Sequence, residues 1–169
     1  MASKVRVAMA AGMGWLGGKQ EWTGQERLLL VEALVGAAMA RLLLLLPFRT
    51  LAPRLGNLGQ ESPGDLTPEL ESQARSIGWS IQAVARRVPW NGKCFTQAVT
   101  AWHMLRRRGM SGTLYFGVRR DPDQGSQQQF HAWVRSGSVA VTGGTGAGYS
   151  TLATFAFPGV PAGPRSGPP

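Results

Sequence analysis

The apolar residues of this chain change their spacing once, at Gly109, and that change constrains the fold more than any other feature. Upstream they recur every three or four residues; downstream they alternate. The first spacing stripes one side of a helix and the second stripes one face of a strand. Helices first and an antiparallel meander afterwards is an α+β plan.

Thr23-Gly24-Gln25-Glu26 is a capping box, and it predicts a helix from about Gly24 to Leu46. Its apolar residues cover more than one face, which implies burial on two sides or docking to a partner. Thr67-Pro68-Glu69 supplies an N-cap, a proline at the first helical position and first-turn acids. The helix it starts should run to about Arg87, with Leu70, Ala74, Ile77, Ile81 and Val84 inward. Gly78 weakens its middle and Pro89 stops it. A third helix, capped by Asn91, carries Phe95, Ala98, Val99, Trp102 and Leu105 as a buried stripe. Arg106, Arg107 and Arg108 sit in its last turn, where cations suit the helix dipole, and Gly109 supplies a left-handed cap.

Past Gly109, strands are predicted over Thr113–Val118, Phe130–Val134 and Ser138–Thr142, with a polar loop from Arg119 to Gln129. The chain thus divides into an N-terminal arm (1–22), a helical region and loop (23–66), a catalytic-type core (67–157) and a Pro/Gly-rich tail (158–169) expected to be disordered.

The net charge of +9 favours acidic partners, yet the arginines are scattered and no RNA-binding or helix-turn-helix signature accompanies them. Nucleic acid is therefore not the expected partner. One cysteine excludes an intrachain disulfide and a Cys/His metal framework, so no metal or other cofactor is expected. This suits a reducing cytoplasm. The apolar stretch Leu28–Phe48 is interrupted by Glu32 and Arg41, and reads as a core or interface helix rather than one in contact with a membrane.

Cys94, the sole cysteine, falls with Asn91 as cap at the third position of the third helix. Unpaired amides and the positive end of the dipole favour negative charge there and can also hold an oxyanion; Lys93 adds a neighbouring cation. His131, in Phe130-His131-Ala132-Trp133-Val134, lies on a strand 37 residues later, with enough chain between for that strand to return to the helix start. A helix-start Cys with a strand His is the layout of a papain-like or transglutaminase-like thiol enzyme: Cys94 as nucleophile, His131 as base. Trp90 and Trp133 are candidates for the substrate groove, though core packing is the commoner job for each. His103, nine residues beyond Cys94 on the same helix, is too far along the axis to take part.

Pro89-Trp90 with Cys94 close behind, Leu105-Arg106-Arg107-Arg108-Gly109, Gly117-Val118-Arg119-Arg120 and His131-Ala132-Trp133-Val134 resemble the leader peptidase family of lasso peptide biosynthesis, a transglutaminase-like cysteine protease group. Leu42–Gly56, with Pro47-Phe48-Arg49, is similar to the helical N-terminal part of that family, and the resemblance covers about residues 25–145. It implies a papain/transglutaminase-like α+β fold and cleavage of one peptide bond, freeing a core peptide from its leader before a separate ATP-dependent cyclase closes the ring. It also implies a leader-recognition protein as partner, with the leucine-rich N-terminal helix as its docking face.

The sequence departs from the family pattern at one place. About twelve residues after the histidine the family carries an Asp that orients the imidazole; here that position is Gly143, and no Asp or Glu follows Asp123. Thr142, through its hydroxyl or carbonyl, and the loop acids Asp121 and Asp123 are the remaining candidates for a third member. Two other readings keep the same residues: an amide transferase of the same fold, and a non-catalytic scaffold that binds peptide.

Overall fold

The computed structural model describes residues 22–88, 93–121 and 127–159. Helix α1 (Gly24–Leu43) begins as predicted: Thr23 Oγ1 accepts from the Glu26 amide at 3.3 Å, and the Glu26 carboxylate accepts from the Thr23 amide at 2.8 Å. It ends short of Leu46. Pro47 disfavours helical geometry at the residue before it, so the chain turns and restarts as α2 (Phe48–Leu55).

The inward face of α1 is built from the small residues Ala33, Gly36, Ala37 and Ala40. A Cβ at Gly36 would stand 3.0 Å from Thr100 Cγ2, a tight contact that the glycine relieves. The expected two-sided burial is not found among the described residues. The large aliphatics lie outside, with Leu28 72% and Leu42 66% exposed.

Helix α3 (Pro68–Ala85) follows the Thr67 cap and buries Ala74, Ile77, Ile81 and Val84. Gly78, which weakens the helix by propensity, permits contact with the sheet: a Cβ there would lie 2.4 Å from the Val141 carbonyl. Helix α4 (Cys94–Arg107) is central, packing on α1, α3 and the sheet. Its end is a Schellman motif. Gly109, at φ 65°, donates to the Arg106 carbonyl, and Met110 donates to Leu105, both at 3.0 Å. The arginines of its last turn are used internally. Arg108 pairs with Glu32 of α1, its Nη1 donating at 2.9 Å, and Arg107 approaches the same carboxylate at 3.5 Å. The Arg108 hydrogen bonds, then the charges of Arg108 and Arg107, hold the Glu32 carboxyl below its usual range against the opposing effect of burial.

The sheet has five antiparallel strands, where the sequence predicts three. Its order is β1 (Asn57–Leu58), β5 (Ser150–Phe157), β2 (Gly112–Asp121), β3 (Gln127–Ser136) and β4 (Val139–Thr142). The β2–β3 hairpin stays in register from Thr113–Arg135 to Asp121–Gln127, so most of the predicted polar loop is strand. Apolar alternation is missing there because polar partners face each other across the ladder: Arg119 donates to Gln129 Oε1 at 2.8 Å. After β4 the chain leaves one side of the hairpin and returns as β5 on the other, pairing with β2.

Candidate active site

Cys94 is the first residue of α4, not the third helical position. Lys93 is the N-cap, and it makes no side-chain capping bond; Asn91, the predicted cap, lies outside the described residues. The amides of Cys94, Phe95 and Thr96 therefore have no intrahelical acceptor. Unpaired amides of this kind are the donors that a developing oxyanion requires. Cys94 is a half-buried free thiol that packs against the hydrophobic core.

Strand β3 alternates sharply at His131. Ala132 and Val134 turn into the core shared with the helices. His131 and Trp133 turn to the other face, where their rings stack at 5.8 Å. Opposite them on β2 stand Gly117 and Tyr115. Tyr115 lies parallel to Trp133 at 5.2 Å, and Gly117 leaves room for the indole, since a Cβ would come within 2.8 Å of Cζ3.

The glycine-rich segment from Gly143 to Tyr149 closes over this face. Gly143 and Gly146 lie against Trp133, and Tyr149 packs on His131 with ring centroids 4.8 Å apart. His131 Nε2 stands 2.8 Å from the Gly143 carbonyl oxygen. A carbonyl can only accept, so Nε2 carries the hydrogen and Nδ1 keeps the free lone pair when the ring is neutral.

The group that holds the imidazole is thus a backbone carbonyl, at the position where the family pattern carries an acid. Thr142 Oγ1 is buried and has no hydrogen-bond partner among the described residues. Asp123, Trp90 and the side chain of Asp121 lie outside the description. Trp133, only 6% exposed, is packed under the glycine segment rather than along an open groove. Phe95, the residue after Cys94, packs instead with Phe116 and the half-exposed Phe48, with centroids 5.0–6.1 Å apart. These phenylalanines belong to three separate elements, so no spacing in the sequence links them.

The fold does not bring Cys94 and His131 together as expected: among the described residues the thiol packs on the core with Ala132 and Val134, whereas His131 lies on the opposite face of β3 and is bonded to Gly143. His103 stays apart from both, near Arg107 and Glu32, and burial is the main cause that lowers its pKa. No three His, Cys, Asp or Glu side chains come together as a metal site among the described residues. No described helix is long and apolar enough to cross a membrane.

A central helix opened by the chain's sole cysteine, packed on an antiparallel sheet that carries a strand histidine, defines a papain-like α+β domain. The profile of the transglutaminase-like superfamily matches residues 42–154, and the chain belongs to that superfamily, which includes cysteine peptidases and transferases. Comparison with curated proteins and with solved structures finds no significant match.

Proposed function

We propose that this protein is a cytoplasmic cysteine peptidase that removes the leader from a ribosomally made lasso peptide precursor. The bond from His131 Nε2 to the Gly143 carbonyl carries the reading. It fixes the tautomer a base needs, in a transglutaminase-like domain whose sole thiol opens the central helix. Cys94 gives its proton to His131 Nδ1 and attacks the scissile carbonyl carbon. First-turn amides of α4 receive the oxyanion, and His131 returns the proton to the leaving amine. Water then hydrolyses the thioester with His131 again as base. Cys94 packs with the core on the helix side of the sheet and His131 lies on the opposite face of β3, so the proton transfer requires β3 to shift at its His131 end when substrate binds.

A leader-recognition protein presents the precursor, docking on the exposed aliphatic face of α1, and the ATP-dependent cyclase takes the product. Three surface changes, Leu28→Glu, Val35→Glu and Leu42→Glu, should abolish co-purification with that partner; undiminished binding would move the docking site elsewhere.

The separation of Cys94 from His131 also supports a second reading, a non-catalytic peptide scaffold. Mass spectrometry of precursor incubated with the partner and either wild type or Cys94→Ala decides between them. Cleavage by wild type alone supports the peptidase. Binding without cleavage by either supports the scaffold. An adduct with an added amine supports an amide transferase of the same fold.

A further inference from the structure

The packing around His131 assigns a positioning role to Tyr149. We propose that Tyr149, held by Arg119, fixes the His131 ring plane and so does part of the work that an acidic side chain does in the family pattern. The inference rests on His131 being the base, but its first test does not depend on activity.

A single hydrogen bond to a neutral carbonyl fixes one nitrogen of an imidazole and leaves the ring free to tip about that bond. It is also weaker than a bond to a carboxylate. The extra restraint comes from rings. His131, Trp133 and Tyr149 form a closed triangle with centroids 5.8, 4.8 and 6.4 Å apart, so the imidazole meets an aromatic ring on two sides. Trp133 is itself immobilised by Tyr115 and by the glycines pressed against it.

Tyr149 comes from the segment after β4, and two interactions anchor it. Its amide donates to the Gly146 carbonyl at 3.0 Å, and the Arg119 guanidinium lies 5.1 Å above its ring. Arg119 is held in turn by Gln129 across the hairpin. Arg119, Gly117 and Tyr115 alternate along β2 opposite Gln129, His131 and Trp133 of β3. The restraint is thus built into one face of the sheet. It acts through the Tyr149 ring, whose hydroxyl makes no described hydrogen bond, so phenylalanine should serve equally well.

The chain has only two histidines, so nitrogen-15 imidazole spectra of the full-length protein, with His103→Gln for assignment, report His131 directly. At about pH 8.5, where an ordinary imidazole is neutral, wild type and Tyr149→Phe should show one tautomer, protonated at Nε2. Tyr149→Ala should show averaged nitrogen shifts with both tautomers populated. If Tyr149→Ala does not fold, Arg119→Gln, at an exposed position, should show the same averaging to a smaller degree.

In leader cleavage, Tyr149→Ala should lower kcat at least about tenfold with KM within about twofold, and Tyr149→Phe should stay near wild type. A wild-type tautomer signature in folded Tyr149→Ala, or in Arg119→Gln where only that variant folds, overturns the proposal. Equal damage from Tyr149→Phe overturns it as well. Averaged tautomers with no cleavage even by wild type would sustain the positioning role while sinking the peptidase reading.

Discussion

Gly143 offers a measurement in which local geometry alone decides the outcome. Its φ is +73°, and a Cβ would lie 2.6 Å from the Ala132 carbonyl oxygen and 2.7 Å from Trp133 Cβ. Its neighbour Gly144 has nearly the same φ, +69°, but nothing within 4 Å of its virtual Cβ. Substitution by alanine at Gly144 therefore incurs only the left-handed backbone cost, about 1–2 kcal/mol. At Gly143 the same cost applies, with about 1–3 kcal/mol for overpacking against backbone that cannot retreat. Shifting the strand end also weakens the carbonyl bond to His131, worth about 1 kcal/mol.

The difference between the two variants should then be about 2–4 kcal/mol. At about 2–4 °C per kcal/mol for a chain of this size, it corresponds to a gap in Tm of about 4–16 °C. Thermal unfolding followed by circular dichroism measures it. Gly143→Asp should behave like Gly143→Ala and lower leader cleavage, although it restores the acid of the family pattern, because the backbone fills the space its side chain would need. Equal Tm values for Gly143→Ala and Gly144→Ala, or a Gly143→Asp more active than wild type, would refute this account.

Thr142→Val removes a buried hydroxyl that has no partner among the described residues, so unfolding by urea should show unchanged or slightly higher stability, by up to about 1 kcal/mol; a marked loss of activity would make Thr142 the orienting residue instead. Glu32→Gln should cost about 1–3 kcal/mol by weakening the latch to Arg108. The Glu32 pKa is lowered in the folded state, so its ionic contribution is full above the unfolded carboxyl value and is lost as pH falls through the lower folded value. The stability gap between wild type and Glu32→Gln should accordingly close on acidification across that window, and a gap independent of pH would exclude the ion pair as its source. Gly78→Ala should destabilise by about 1–3 kcal/mol despite alanine's better helix propensity, because the new methyl meets the Val141 carbonyl; a more stable variant in the same urea series would contradict that contact.

Local signals settled where α1 and α3 begin and where α4 ends. The Thr23 box and the Thr67-Pro68 start lie within a few residues of the bonds they make, and the Gly109 cap closes on carbonyls three and four residues back, so each is legible without the rest of the chain. The period change at Gly109 likewise announced helices followed by strands. Strand β5 was not legible, because Ser150–Phe157 pairs with β2 more than thirty residues earlier and buries mainly its last three residues. The two ends of the β2–β3 hairpin were hidden for a related reason: polar cross-strand partners there stand in place of apolar alternation.

The candidate site divides in the same way. The sequence by itself picked out Cys94 at a helix start, His131 on a strand, and the absence of an acid at position 143. Only the tertiary structure decided what meets His131, since the Gly143 carbonyl and the Tyr149 ring reach it through the crossing from β4 to β5. A side-chain acid leaves a letter in the sequence, whereas a backbone carbonyl is present at every residue and acquires a role only when the fold aims it.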